Sequence, residues 1–172
     1  MRFTTPAIAL MILLALPATG SADAISDCNG DQPATVIQGC SQIIDGGKAS
    51  DEALAIAYFN RGNAYDDSGD HDGAIADYTA AIKLKPDFAD SYFNRGFAYE
   101  DKQDYDSAIA DYTALIKLSP DYAKAYYGRG RANEAKGDLK QALVDYQQAA
   151  RLAPGNGTVL KKIAEVQQKL DQ

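Results

Sequence analysis

Residues 66–73 read "DDSGDHDG" and crowd Asp66, Asp67, Asp70 and Asp72 around Gly69 and the one histidine of the chain, His71. Oxygen-rich loops of this kind hold calcium when their ligands fall at fixed places. With Gly73 at the sharp turn, the loop would begin at Ser68 and need a bidentate glutamate at position 79, which is Thr79. Both end ligands are missing, so the stretch is expected to be a turn. Gly69 would take a left-handed position, and Asp70 or Asp72 would cap the following helix. His71 has no partner cluster in the sequence and reads as a solvated turn residue. Two cysteines, Cys28 and Cys40, with one histidine make a poor zinc set. No histidine pairs with a nucleophile and no glycine-rich loop follows a strand, so the expectation is no catalytic residue, no metal and no cofactor.

The elements that would position these residues come from a repeat. Segments starting at Ala55, Ala89 and Ala123 superpose at one constant spacing. Tyr58, Tyr92 and Tyr126 align. So do Arg61, Arg95 and Arg129; Gly62, Gly96 and Gly130; Ala74, Ala108 and Ala142; Tyr78, Tyr112 and Tyr146; and Pro86, Pro120 and Pro154. The opening stretch aligns with "EDKQDYDSA" and "EAKGDLKQA", so it is the first copy of a recurring turn. A fixed period of this length marks an array of helix pairs. Ile75, Tyr78, Thr79 and Ile82 fall at helical spacing, and Pro86 closes the second helix of its pair. A lone pair cannot bury its apolar face, so neighbours must stack.

Residues 55–156 resemble the tetratricopeptide repeat family, whose aromatic, Gly, Tyr, Ala, aromatic, Ala and Pro positions are met in the first copy by Tyr58, Gly62, Tyr65, Ala74, Tyr78, Ala81 and Pro86. Leu115 departs from the small residue in the second copy and Asn133 from the tyrosine in the third. Arg61, Arg95 and Arg129 stand where the family usually has leucine. The resemblance implies an all-α, right-handed solenoid of three helix-turn-helix units, 55–88, 89–122 and 123–156, within a repeat region 51–156. Each arginine occurs with an acid sixteen residues on, Asp77, Asp111 and Asp145. These predict an ion pair across the two helices of every repeat, with the arginine stem covering apolar surface as leucine would.

The ends of the array need caps. Residues 157–172 are expected to form a C-terminal capping helix, with Val159, Leu160, Ile163, Val166 and Leu170 on one stripe. At the other end, residues 25–50 read as a half-repeat. Aligning Cys40 with Tyr78 brings Ile37 to Ile75 and Ile44 to Ile82, with the partner helix missing. A Cys28–Cys40 disulfide would staple the preceding segment across that helix, two buried thiols being the alternative. Before it, "MR", the apolar run 7–16, Pro17 and "ATGSADA" have the build of a secretory signal peptide, 1–24, cleaved after Ala24 or after Ala22. The apolar run spans about half a bilayer core, too short for a permanent anchor. The expected location is therefore periplasmic or secreted, where paired cysteines persist.

A net charge of −7 and an isoelectric point near 4.6 argue against nucleic acid or anionic lipid as partners. The remaining class is binding to protein. By resemblance, the first helices of the pairs line a concave groove through Phe59, Asn60, Asn63, Phe93, Asn94, Phe97, Lys124, Tyr127 and Arg131. Aromatics supply contact area and asparagine can satisfy a peptide backbone. One branch of the family grips the carboxylate tails of chaperones. Asn63, Asn94 and Lys124 match three of its positions, but Phe59 and Gly128 replace a lysine and an arginine, which argues against that ligand. The expectation is a non-catalytic adaptor that docks an unidentified peptide or helix in the bacterial envelope. Self-association into a structural module and weak cation or small-ligand binding at the acidic turns are the alternatives.

Overall fold

The computed structural model describes residues 20–172, and every regular element among them is a helix. They are α1 (Gly20–Cys28), α2 (Pro33–Asp45), α3 (Asp51–Asp67), α4 (His71–Leu84), α5 (Ala89–Asp101), α6 (Tyr105–Leu118), α7 (Ala123–Lys136), α8 (Leu139–Leu152) and α9 (Gly157–Leu170). Each helix packs on the next in sequence, and α1 also touches α3, α3 touches α5 and α5 touches α7. The odd helices therefore form an inner layer and α2, α4, α6 and α8 an outer one. The leader expected at 1–24 lies outside the described residues up to position 19.

The turn chemistry repeats with the sequence. Asp70, Asp104 and Asp138 each cap an outer helix, accepting the backbone N–H of Gly73, Ser107 and Gln141 at 3.0, 3.2 and 3.1 Å. The residue before each cap is left-handed, Gly69 at φ 81°, Gln103 at 61° and Gly137 at 88°. The second copy thus carries a side chain in a conformation that favours glycine.

Small residues permit the close approach of each helix pair. A Cβ on Gly62 would lie 2.8 Å from the Tyr78 ring, and one on Gly130 would lie 2.7 Å from Tyr146. The Tyr112 ring is enclosed from two sides, because Cβ atoms on Gly96 and Gly128 would meet it at 3.0 and 2.6 Å. Tyr78, Tyr112 and Tyr146 are consequently buried, with Ala74, Ala108 and Ala142 beside them. Full burial of one such aromatic stabilises by about 2 kcal/mol. Leu115 is also fully buried, so the second repeat admits a larger residue at the position of Ala81 and Ala149.

The N-terminal region differs from expectation. The partner of α2 is present: α1 lies against it so closely that a Cβ on Gly39 would come within 2.6 Å of Asp27 Cβ and 2.8 Å of the Ala24 carbonyl oxygen. Cys28 and Cys40 form a disulfide with sulfurs 2.05 Å apart. Cys40 occupies the place that Tyr78 holds in the next repeat, so a covalent link stands where the repeats have a tyrosine over a glycine. α1 begins at Gly20 and Ala24 is buried, so the described helix includes the last residues of the expected leader. At the other end, α9 buries Val159 and Val166 and half-buries Ile163, whereas Leu160 and Leu170 are exposed. The apolar stripe of the cap is narrower than its sequence pattern predicts.

Candidate functional site

The three arginines organise the stack from inside. Arg61 Nε donates to Asp77 Oδ2 at 2.7 Å and Nη2 to Asp77 Oδ1 at 2.8 Å. Arg95 meets Asp111 in the same two-pronged way at 2.7 and 2.6 Å, and Arg129 meets Asp145 at 3.0 and 2.7 Å. The remaining nitrogen reaches the preceding repeat. Nη1 of Arg61, Arg95 and Arg129 donates to Ser41, Thr79 and Thr113 at 2.8, 2.8 and 3.1 Å. Each guanidinium also lies against the tyrosine one turn earlier, 5.6 Å from Tyr58 and 5.8 Å from Tyr92 and Tyr126. One residue type thus ties its own helix pair together and fastens that pair to the one before. In the third copy Asn133 replaces tyrosine and donates to Asp145 Oδ2 at 3.1 Å, turning the departure into another support for the buried carboxylate. The hydroxyl acceptors carry a sequence signal, because Thr79 and Thr113 stand one repeat apart and Ser41 follows Cys40 in the half-repeat alignment.

The expected groove residues divide into three groups. Phe59, Phe93 and Tyr127 are bracing rings. Phe59 lies 6.0 Å from Tyr78 and 4.9 Å from Phe88, Phe93 lies 5.9 Å from both Tyr112 and Tyr122, and Tyr127 lies 5.6 Å from Tyr146. Asn60 is covered by the N-terminal helix, since its Nδ2 donates to the Cys28 carbonyl and to Asn29 Oδ1, each at 3.1 Å. The others line open clefts. Asn63, Asn94 and Phe97 border one of about 410 Å³ together with Asp66 and Asp67. Arg131 lines a second of about 370 Å³ with Glu100, Asp101 and Glu134, and Lys124 a third beside Tyr122 and Tyr127. Asn63 Oδ1 accepts both the Tyr78 hydroxyl and Asn94 Nδ2 at 2.8 Å, leaving the second proton of the Asn94 amide for a ligand. Phe97 is 37% exposed and supports the Arg131 guanidinium at 5.7 Å.

Two groove glutamates escaped the sequence reading. Glu100 and Glu134 stand one repeat apart, in register with Asp66. Glu100 is buried, accepts the Tyr112 hydroxyl at 2.6 Å and pairs with Arg131 at 3.0 Å. Its burial outweighs the Tyr112 and Arg131 contacts and holds its carboxyl above the ordinary glutamate value. Glu134 is less deeply placed. Burial pushes it up too, but Lys169, Tyr146 and Lys162 together bring it below the ordinary value. Lys169 and Lys162 come from the capping helix, at 2.7 and 3.2 Å.

The opening acidic stretch forms the α3–α4 turn. His71 is half-buried with Nδ1 2.7 Å from Asp66 Oδ1, so it is tied to the end of α3 and not simply solvated. Asp66, His71 and Asp101 bring one ligand atom each within 4.8 Å of one another. Thr79, where a calcium loop would need its glutamate, accepts from Arg95.

Two family models match, described as TPR repeat over residues 62–103 and tetratricopeptide repeat over residues 93–157. No curated protein matches the chain significantly. Among solved structures, the second TPR domain of human RPAP3 in complex with the HSP70 peptide SGPTIEEVD is 31% identical, with a TM-score of 0.66 over 69% of this chain and 98% of that one. The first TPR of Spaghetti (RPAP3), bound to the HSP90 peptide SRMEEVD, is 29% identical, with a TM-score of 0.68 over 72% of this chain and 100% of that one. MamA from Desulfovibrio magneticus RS-1 is 18% identical with a TM-score of 0.77, over 88% of this chain and 84% of that one, a likeness of fold alone. With these matches and its helix-pair stack, the chain belongs to the tetratricopeptide repeat family.

Proposed function

We propose that the protein is a non-catalytic adaptor that docks a peptide or helix of a partner protein along its inner face after export to the bacterial envelope. The observation that carries this reading is the open Asn63–Asn94–Phe97 cleft, an amide with a free proton beside an exposed ring. The peptide complexes of the two RPAP3 domains support the same class of role. Crosslinking followed by recovery from the envelope fraction identifies the partner. Asn94→Ala with Phe97→Ala should then abolish capture while helical content stays unchanged. Capture that survives the double substitution contradicts the reading.

The leader and the paired cysteines support export. Because Ala24 is buried against α2, cleavage after Ala22 fits the fold better than cleavage after Ala24. The intact mass of exported protein distinguishes the two, and a mature chain starting at Ile25 contradicts this choice.

Self-association is the second reading, favoured by one observation. Ile25 and Ile56, 55% and 43% exposed, border an apolar cleft of about 710 Å³ between α1, α2 and α3. Light scattering over a range of concentrations separates it from the adaptor reading, since self-association alone raises the mass with concentration.

A further inference from the structure

The clefts between α1, α3 and α5 carry an unbalanced charge. Asp31 and Asp67 line one side and Asp66 and Asp67 the other, and no lysine or arginine lines either cleft. Asp101 follows at the next repeat, on the edge of the cleft that Arg131, Lys162 and Lys169 line, with its carboxylate close to Asp66 and His71 across the repeat boundary. Asp67 and Asp101 are exposed and, among the described residues, neither pairs with a lysine or arginine. Towards the other end, Arg131 is held by Glu100 and Lys162 and Lys169 by Glu134, while Lys124, in the cleft beside Tyr122 and Tyr127, is exposed and, among the described residues, in no ion pair. Phe59 is a ring braced on Phe88 and Gly128 is pressed on Tyr112, so neither position offers a cation. In the part of the groove between α3 and α5 the free charge offered to a ligand is therefore negative, and it lies beside the exposed Phe97 ring and the Asn94 amide.

We infer that this part of the groove takes a partner segment with a lysine or arginine next to an apolar side chain, the opposite charge from the acidic peptides held by the RPAP3 domains. The cation would lie between Asp67 and Asp101, the apolar group on Phe97, and the backbone carbonyl against Asn94 Nδ2. This rests on the adaptor reading and gives the partner a chemistry. Carboxylates on the groove rim would also speed the encounter with a cationic segment and make it sensitive to salt.

The test uses short fluorescein-labelled peptides in which lysine, phenylalanine and alanine alternate, and the same peptides with glutamate for lysine, read by anisotropy on the mature protein. The lysine peptide should bind, weaken about tenfold between about 50 and 500 mM salt, and weaken at least severalfold on Asp67→Asn with Asp101→Asn. The control Asp45→Asn with Asp87→Asn makes the same change of net charge away from the groove and should leave binding unchanged. Equal loss in the control, or tighter binding of the glutamate peptide, overturns the charge inference. So does failure of both peptides to bind. If the glutamate peptide binds and Asn94→Ala with Phe97→Ala removes it, the groove reading stands while this inference falls. If the lysine peptide ignores that second pair, it binds elsewhere and this inference falls, while the adaptor reading is decided by capture of the native partner.

Discussion

The two faces of the inner helices follow different rules. On the face turned to the outer layer, Arg61, Arg95 and Arg129 make the same bidentate bond to aspartate and the same reach to a hydroxyl of the preceding repeat. On the open face the register changes chemistry at almost every step. Asn63, Phe97 and Arg131 occupy one position; Asn60, Asn94 and Gly128 another; Asp67, Asp101 and Ala135 a third. Identical partners on one side demand identical residues, because each helix pair must present the same surface to the next. The open side is free of that demand, so its differences are where specificity can reside.

Removing one member of the inner ladder should produce the largest effect. Asp111→Ala leaves Arg95 largely buried without its carboxylate and should cost about 3 kcal/mol, read as a shift of the urea midpoint. A cycle with Arg95→Ala should show coupling above about 1 kcal/mol. No coupling would mean that the pair contributes nothing beyond its separate residues. Thr113→Val tests the link between repeats alone and should cost about 1 kcal/mol, since Arg129 keeps Asp145.

The pair of groove glutamates sharpens the comparison through pH. Glu100 has a raised pKa in the fold, so its contribution is fully present below the unfolded value and is lost as pH rises through the folded one. Glu134 has a lowered pKa, so its contribution is present above the unfolded value and is lost as pH falls through the folded one. As pH rises from about 4 to 7 the stability of Glu100→Gln should improve relative to the wild type, and as pH rises from about 3 to 5 that of Glu134→Gln should decline. Urea midpoints measured across both ranges check both signs; parallel profiles would contradict the assignment. The smallest effect is expected on the open face, where Asn94→Ala with Phe97→Ala should change stability by only about 1 kcal/mol. A loss as large as that of Asp111→Ala would erase the distinction between the faces.

The constant period made the repeats, the turn caps and the arginine register legible, because each depends on residues close in sequence or repeated in it. α1 was not legible. Its sequence, GSADAISDC, has little apolar periodicity, and the helix is packed by the approach of Gly39 and the disulfide, both tertiary. The groove was legible as a face but not residue by residue. Phe93 and Phe97 lie one turn apart on the same helix, yet Tyr122, at the start of α7, covers the first and leaves the second exposed. His71 was misjudged for a similar reason, since its partner Asp66 lies across a turn whose closure the spacing alone does not fix.

Site-specific photocrosslinking in the native cell tests the division of faces most directly. A photoreactive phenylalanine analogue at position 97 places the probe on the open face with little change of shape, and the same analogue at position 144 places it on outer helix α8, where Val144 is 53% exposed. The account predicts one partner adduct from position 97 and none from position 144. An adduct from position 144 with none from position 97 would put the docking surface on the outer layer and contradict it.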